Sequence, residues 1–136
     1  MKNETYYITK KYQGDFSSAL ASIVDSLNQE GFGILTQIDV QETFKRKLNV
    51  DYSKYMILGA CNPPNAYKAL QAEKEIGLLL PCNVIIYEEK DSTFISIMKP
   101  TAALTLSSNS EISQIATEVE AKLLRALNNT INDKKD

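Results

Sequence analysis

Residues 54–64 read Lys-Tyr-Met-Ile-Leu-Gly-Ala-Cys-Asn-Pro-Pro. Lys54 to Ala60 is a nearly continuous apolar run of strand length, the pattern of a central strand buried on both faces. The change at Cys61 is abrupt. Asn62 is a good N-cap, and Pro63 falls at the first helical position, where its missing N–H costs nothing. A buried strand therefore feeds directly into a helix with Ala66, Tyr67 and Leu70 on its apolar side, ending near Glu75.

The same alternation runs outward on both sides. Toward the N-terminus, Tyr6 to Lys11 is rich in Tyr, Ile and Thr and reads as a strand. Asp15 caps a helix whose Phe16, Leu20, Ile23, Val24 and Leu27 share one face, and Gly31 closes it. Gly33 to Ile38 reads as a second strand. Asp39 and Glu42 have capping-box spacing and open a short helix with Val40, Phe44 and Leu48 inward. Toward the C-terminus, Cys82–Glu88 and Thr93–Met98 read as a hairpin around Glu89-Lys90-Asp91-Ser92. Ser108 and Glu111 make a second capping-box spacing. A long amphipathic helix follows, carrying Ile112, Ile115, Val119, Leu123 and Leu127. The order β-α-β-α-β-α-β-β-α predicts a two-layer α+β domain, a mixed sheet with helices packed on it. Residues 1–131 make this one domain, and 132–136 are a polar tail expected to fray.

Composition narrows the function. The chain has 136 residues, net charge −2, two cysteines and no histidine. A chain of this size buries roughly two-thirds of its unfolded surface, enough for a core without disulfides or metal. Without histidine there is no Ser-His-Asp triad, no Cys-His dyad and no imidazole metal ligand. The five glycines form neither GxGxxG nor GxxxxGK[ST], so no nucleotide cradle is predicted and no cofactor is named. The charge balance argues against nucleic acid, since Lys45-Arg46-Lys47 is too short for a phosphate-binding face. The opening MKNETYYITK lacks the apolar core of a signal peptide, and no apolar run approaches the ~20 residues of a membrane span. A cytoplasmic protein with reduced thiols is expected.

Four stretches carry a family resemblance: Asp39-Val-Gln-Glu-Thr-Phe-Lys-Arg-Lys-Leu48, Tyr55-Met-Ile-Leu-Gly-Ala-Cys-Asn-Pro63, Ala69-Leu-Gln-Ala-Glu73 and Ile76-Gly-Leu-Leu-Leu-Pro-Cys-Asn-Val84. Together they resemble the bacterial and archaeal family called domain of unknown function 302. The resemblance implies a small two-layer α+β fold that forms homodimers, with no established activity. One departure stands out. The family tends to place Asp before the proline that ends the hairpin, whereas this chain has Lys99-Pro100, which reverses the charge at that corner.

The candidate ligand-binding residues are Lys47, Cys61, Asn62, Cys82 and Asn83. Cys61 precedes a helix N-terminus, where free N–H groups and the helix dipole favour a thiolate. It equally suits a small buried apolar residue at a strand end. Cys82 is of interest mainly through Cys61. The helix between them runs back along the sheet and Gly77–Pro81 recovers part of that distance, so the thiols can return to one end. If they meet, a reversible disulfide, a soft-metal site held by Cys61 and Cys82, or attack on an electrophile becomes available. Asn62 is explained as a cap, whereas Asn83 starts a strand, where asparagine is depleted. Lys47 is either a solvated lysine or an anchor for an anionic ligand. Ile76, Leu78, Leu79 and Leu80 are too apolar for a surface loop and are expected to line a pocket or a homodimer interface. The preferred reading is a homodimeric module for a small ligand near LGACNP and LLLPCN. A thiol-based enzyme or redox sensor, or a soft-metal protein, is the alternative. Lack of histidine and of a close acid pair lowers the enzyme reading.

Overall fold

The computed structural model describes residues 2–3 and 6–133. Along the chain they form β1 (Lys2–Asn3), β2 (Tyr7–Tyr12), α1 (Phe16–Gln29), β3 (Gly33–Asp39), α2 (Val40–Leu48), β4 (Tyr55–Cys61) and α3 (Pro63–Ala72). A 3-10 turn (Lys74–Leu79), β5 (Cys82–Glu89), β6 (Ser92–Met98), α4 (Pro100–Ala103), a second 3-10 turn (Leu104–Leu106) and α5 (Ser110–Asp133) complete them. The strands make one sheet in the order β1-β2-β6-β5-β4-β3.

The α+β class and the element order agree with the expectation, but the sheet is not mixed. Every pairing between described strands is antiparallel. The reason lies in the helical connections. α1 crosses from β2 to β3, which run the same way but are kept apart by β6, β5 and β4. α2, and α3 with its following turn, bring the chain back to the end it left, so β4 and β5 each run opposite to the strand before. The hairpin does the same through Lys90 and Asp91, both at positive φ, the two-residue turn whose twist suits paired strands.

The core lies between one sheet face and α1 and α5. In β4, β5 and β6, Leu58, Val84, Ile86, Ile95 and Ile97 point at the helices, which answer with Ala19, Ile23, Leu27, Leu123, Ala126 and Leu127. Tyr12 closes the α1 end of this layer, its buried hydroxyl bonding Ser18 and Ser22. A smaller cluster joins Ala69 of α3, Ile76 and Leu104 to Ile112 and Ala116 of α5. Burying side chains of this size stabilises the fold by about 1.5–3 kcal/mol each.

The helix starts follow the capping rules at three of four sites. Asp15 accepts from Ser18 N, Asp39 from Glu42 N and Asn62 from Asn65 N. At α5 the cap is Asn109 rather than Ser108: Asn109 Oδ1 accepts from Glu111 N, while its Nδ2 donates to Ala72 O at the end of α3. One carboxamide thus serves two helix ends, which local spacing does not reveal. α3 stops at Ala72, earlier than expected, because Glu73 turns extended and its carboxylate accepts from Ser107 Oγ. At its other end α5 extends to Asp133, and residues 134–136 of the expected polar tail lie outside the described residues.

Replacing Asn109 by alanine should cost about 1 kcal/mol or somewhat more, since a cap and a tertiary bond go together, whereas Ser108→Ala should cost a few tenths. Urea unfolding of the two variants side by side checks this; the reverse ranking would restore Ser108 as the cap.

Candidate functional site

Two hollows flank the sheet. The first lies where β4 ends and β5 begins. LGACNP delivers Ala60, Cys61 and Asn62, and α3 adds Asn65, Ala66, Ala69 and Leu70. LLLPCN supplies Leu80, Pro81 and Cys82, and α5 closes the back with Ile115 and Val119. The cavity measures ≈ 270 Å³ and its walls are largely apolar. Both motifs therefore border one space, brought together by β4–β5 pairing in which Ala60 faces Cys82. Gly59 holds the crossing: a Cβ there would collide with the Thr36 side chain and come within 2.8 Å of Pro81 Cγ.

The polar rim is the Asn62–Asn65 pair. Asn62 Oδ1 accepts from Asn65 N and Nδ2, and Asn62 Nδ2 donates to Glu30 O at the end of α1. Asn62 is buried with its carboxamide fully engaged, tying α1, β4 and α3 together. Gly31 completes this joint, at φ +87° and with Asn62 Nδ2 3.1 Å from where a Cβ would sit. Asn65, buried beside the cavity, was not among the sequence candidates. Its only sequence signal is its place three residues after the cap.

Cys82 is buried, Cys61 is half-buried, and both are free thiols. Burial, and secondarily the neighbouring Cys61, pushes the Cys82 thiol up to about 11 from an ordinary value near 9. The register sets the two cysteines one residue out of step. Cys82 lies opposite Ala60, so the two cysteines are not a directly facing pair, although both border the cavity and Cys61 is near enough to act on the Cys82 thiol. Among the described residues, no group of three or more His, Cys, Asp or Glu side chains comes together in a way that could hold a metal ion.

The remaining candidates scatter. Lys47 is exposed in the last turn of α2, beside Lys45 and Arg46, where cations suit the helix dipole; it lines neither hollow. Asn83 is exposed on the opposite sheet face from the cavity. Ile76 is buried within the chain, Leu79 and Leu80 pack partly against its cluster, and only Leu78, 85% exposed, has a free side chain. Lys99 makes no capping bond at α4; Glu120 of α5 accepts there instead, from Thr101 N and Oγ1.

The second hollow, ≈ 530 Å³, opens on the sheet face that α1 and α5 do not cover. Its floor carries Thr9, Asn83, Ile85, Ser96 and Met98, and its walls carry Tyr6, Tyr7, Tyr55 and Tyr87. Tyr55, Tyr87 and Phe94 stack across three neighbouring strands, with centroids 5.7 and 5.4 Å apart. In the sequence the seven tyrosines are spread through strands and helices. Their alternation with Ile57 and Ile85 was the available signal. Burial pushes the Tyr55 and Tyr87 phenols up, helped by the neighbouring Tyr52 for Tyr55 and Glu89 for Tyr87.

The fold and the two motif-lined strand ends define a small antiparallel α+β protein with a helix-covered face and an open one. The chain belongs to the family described as domain of unknown function DUF302, whose model matches residues 8–130. It is similar to an uncharacterized conserved protein of that family from Bacillus stearothermophilus, seen in a crystal structure with a TM-score of 0.84. The two are 30% identical, over 90% of this chain and 95% of that one. No curated protein matches the sequence. No helix among the described residues is long and apolar enough to cross a membrane.

The thiolate is the form that alkylates, so a raised pKa slows Cys82 near neutrality and its rate should climb roughly tenfold per pH unit until about 11. Stability has the same sign: the buried thiol's contribution is complete below about 9 and is lost as pH rises toward 11. Iodoacetamide labelling followed by peptide mass spectrometry at pH 7 should find Cys61 modified before Cys82. Preferential labelling of Cys82 would contradict this.

Proposed function

We propose that this protein is a homodimeric module that holds a small, largely apolar ligand in the cavity between LGACNP and LLLPCN. One observation carries the reading. The two ordered motifs of the chain converge on one ≈ 270 Å³ hollow with apolar walls. That space is close to the lower end of small-molecule sites, roughly 300–1,000 Å³, so the ligand is small. Apolar walls select apolar surface, and the buried Asn62–Asn65 pair at the rim gives orientation at one end only. The reading makes Cys61, Asn62 and Cys82 wall or rim residues and excludes Lys47 and Asn83 from contact.

A thiol-based enzyme, a redox sensor or a soft-metal protein using Cys61 and Cys82 has less support. Cys82 is held as a neutral thiol by burial, it pairs with Ala60 rather than with Cys61, and no histidine is present to act as base.

The test uses 1-aminoanthracene, an uncharged apolar fluorophore. Its emission should rise and shift to the blue on mixing with the native protein. Ala66→Phe, which builds a ring into the cavity from a half-buried position, should weaken binding by tenfold or more while leaving the melting temperature within a few degrees. Unchanged affinity in a folded Ala66→Phe variant removes the cavity from the reading.

A further inference from the structure

We propose that the cavity takes an uncharged apolar molecule bearing one hydrogen-bond donor, an alcohol or phenol hydroxyl, and that Asn65 Oδ1 is the atom that receives it. This rests on the cavity reading above and names the chemistry of its ligand.

The polar rim fixes which atom is left over. Asn62 Oδ1 faces the Asn65 backbone N–H and Asn62 Nδ2 faces Glu30 O, so the first carboxamide has one orientation only. Asn65 must then turn its Nδ2 to Asn62 Oδ1, 3.1 Å away, because an acceptor there would meet an acceptor. Its own Oδ1 is left over and accepts from no described group. Asn65 is only 3% exposed. Among the described residues, no side-chain nitrogen or oxygen that is sealed from the surface lacks a partner. Asn65 Oδ1 is therefore not sealed. It opens on a void, and the hollow that Asn65 lines is the cavity.

A carbonyl oxygen beside apolar walls costs free energy until something donates to it. A water held there would need two to four polar partners, which apolar walls do not supply. A molecule that brings one donor on an apolar body satisfies the oxygen and fills the space together. Cys61 and Cys82 add only weak, polarisable contacts along the wall.

The same wall refuses anions. A helix start ordinarily presents free N–H groups to a carboxylate or phosphate. Pro63 and Pro64 carry none, Asn65 N is taken by Asn62 Oδ1, and Ala66 N is taken by Asn62 O. On the LLLPCN side, Pro81 carries none and Leu80 N is held by Gly77 O. No Lys, Arg, Asp or Glu is among the described residues that line the space. The cavity is thus neutral, short of donors and supplied with one open acceptor, the complement of a hydroxyl and not of a charge.

Displacement of 1-aminoanthracene at pH 7 tests this with two probes that differ in one group. 1-Methylnaphthalene carries a methyl of similar size where 1-naphthol carries its hydroxyl. Native protein should bind 1-naphthol the more tightly, against the order of their hydrophobicity, and 1-naphthoate, which is charged, should bind weakest. Asn65→Leu removes the acceptor at similar volume; the order of the first two should reverse, their affinity ratio changing tenfold or more. Ala66→Phe should weaken both alike, which places them in the cavity even where Asn65→Leu does not fold. Tighter native binding of 1-methylnaphthalene or of 1-naphthoate overturns the donor requirement and leaves the cavity reading standing. An unchanged ratio in folded Asn65→Leu overturns the role of Asn65. Failure of both neutral probes to displace the fluorophore, or indifference of both to Ala66→Phe, overturns the cavity reading as well.

Discussion

A six-stranded antiparallel sheet has two faces, and this chain has long helices for one of them. Every larger feature follows from that inequality. Ile23, Leu27, Leu123 and Leu127 exclude water from Leu58, Val84, Ile86 and Ile95, and this layer supplies most of the hydrophobic stabilisation. With α1 and α5 committed there, α3 and the 3-10 turn are left to close the sheet's end, where they meet α5 over a smaller cluster. The cavity is the space those two clusters leave between them.

The joint at Asn62 keeps that space defined. Its carboxamide caps α3 and holds Glu30 O, so strand end, helix start and the close of α1 move as one piece. Asn109 does the corresponding work at the other end of α3, and Glu120 at α4. The bonds to Glu30 O, to Ala72 O and from Thr101 N join elements far apart in sequence. The cysteines, by contrast, make no described hydrogen bond and serve as wall. At Cys82 burial suppresses the thiolate that metal binding or nucleophilic attack requires.

What is legible in one dimension depends on range. Asp15, Asp39 and Asn62 are readable as caps because the bond closes within three residues. Asn109 is not, because what distinguishes it from Ser108 is a carbonyl 37 positions away. The buried strand at 54–60 is readable from its continuous apolar run, and the amphipathic stripe of α5 from its period. Asn83 follows Cys82 directly and Lys47 lies in another of the matching stretches, yet neither borders the cavity. Proximity in a motif does not choose a sheet face, since successive residues of a strand point opposite ways. Ile76 to Leu80 looked uniform, and the 3-10 turn gives each residue a different environment, from buried Ile76 to exposed Leu78.

The amino-acid sequence alone therefore determined the α+β class, the element order, three of the caps and the convergence of interest on LGACNP and LLLPCN. All of these rest on periodicity and on contacts within a turn or two. Tertiary structure decided that the sheet is antiparallel throughout, that the motifs border one cavity with Cys82 opposite Ala60 rather than Cys61, and that a row of stacked aromatic rings stands on the face that α1 and α5 do not cover. Those outcomes depend on strand register and on which face the helices choose, and register is settled only when strands distant in sequence pair.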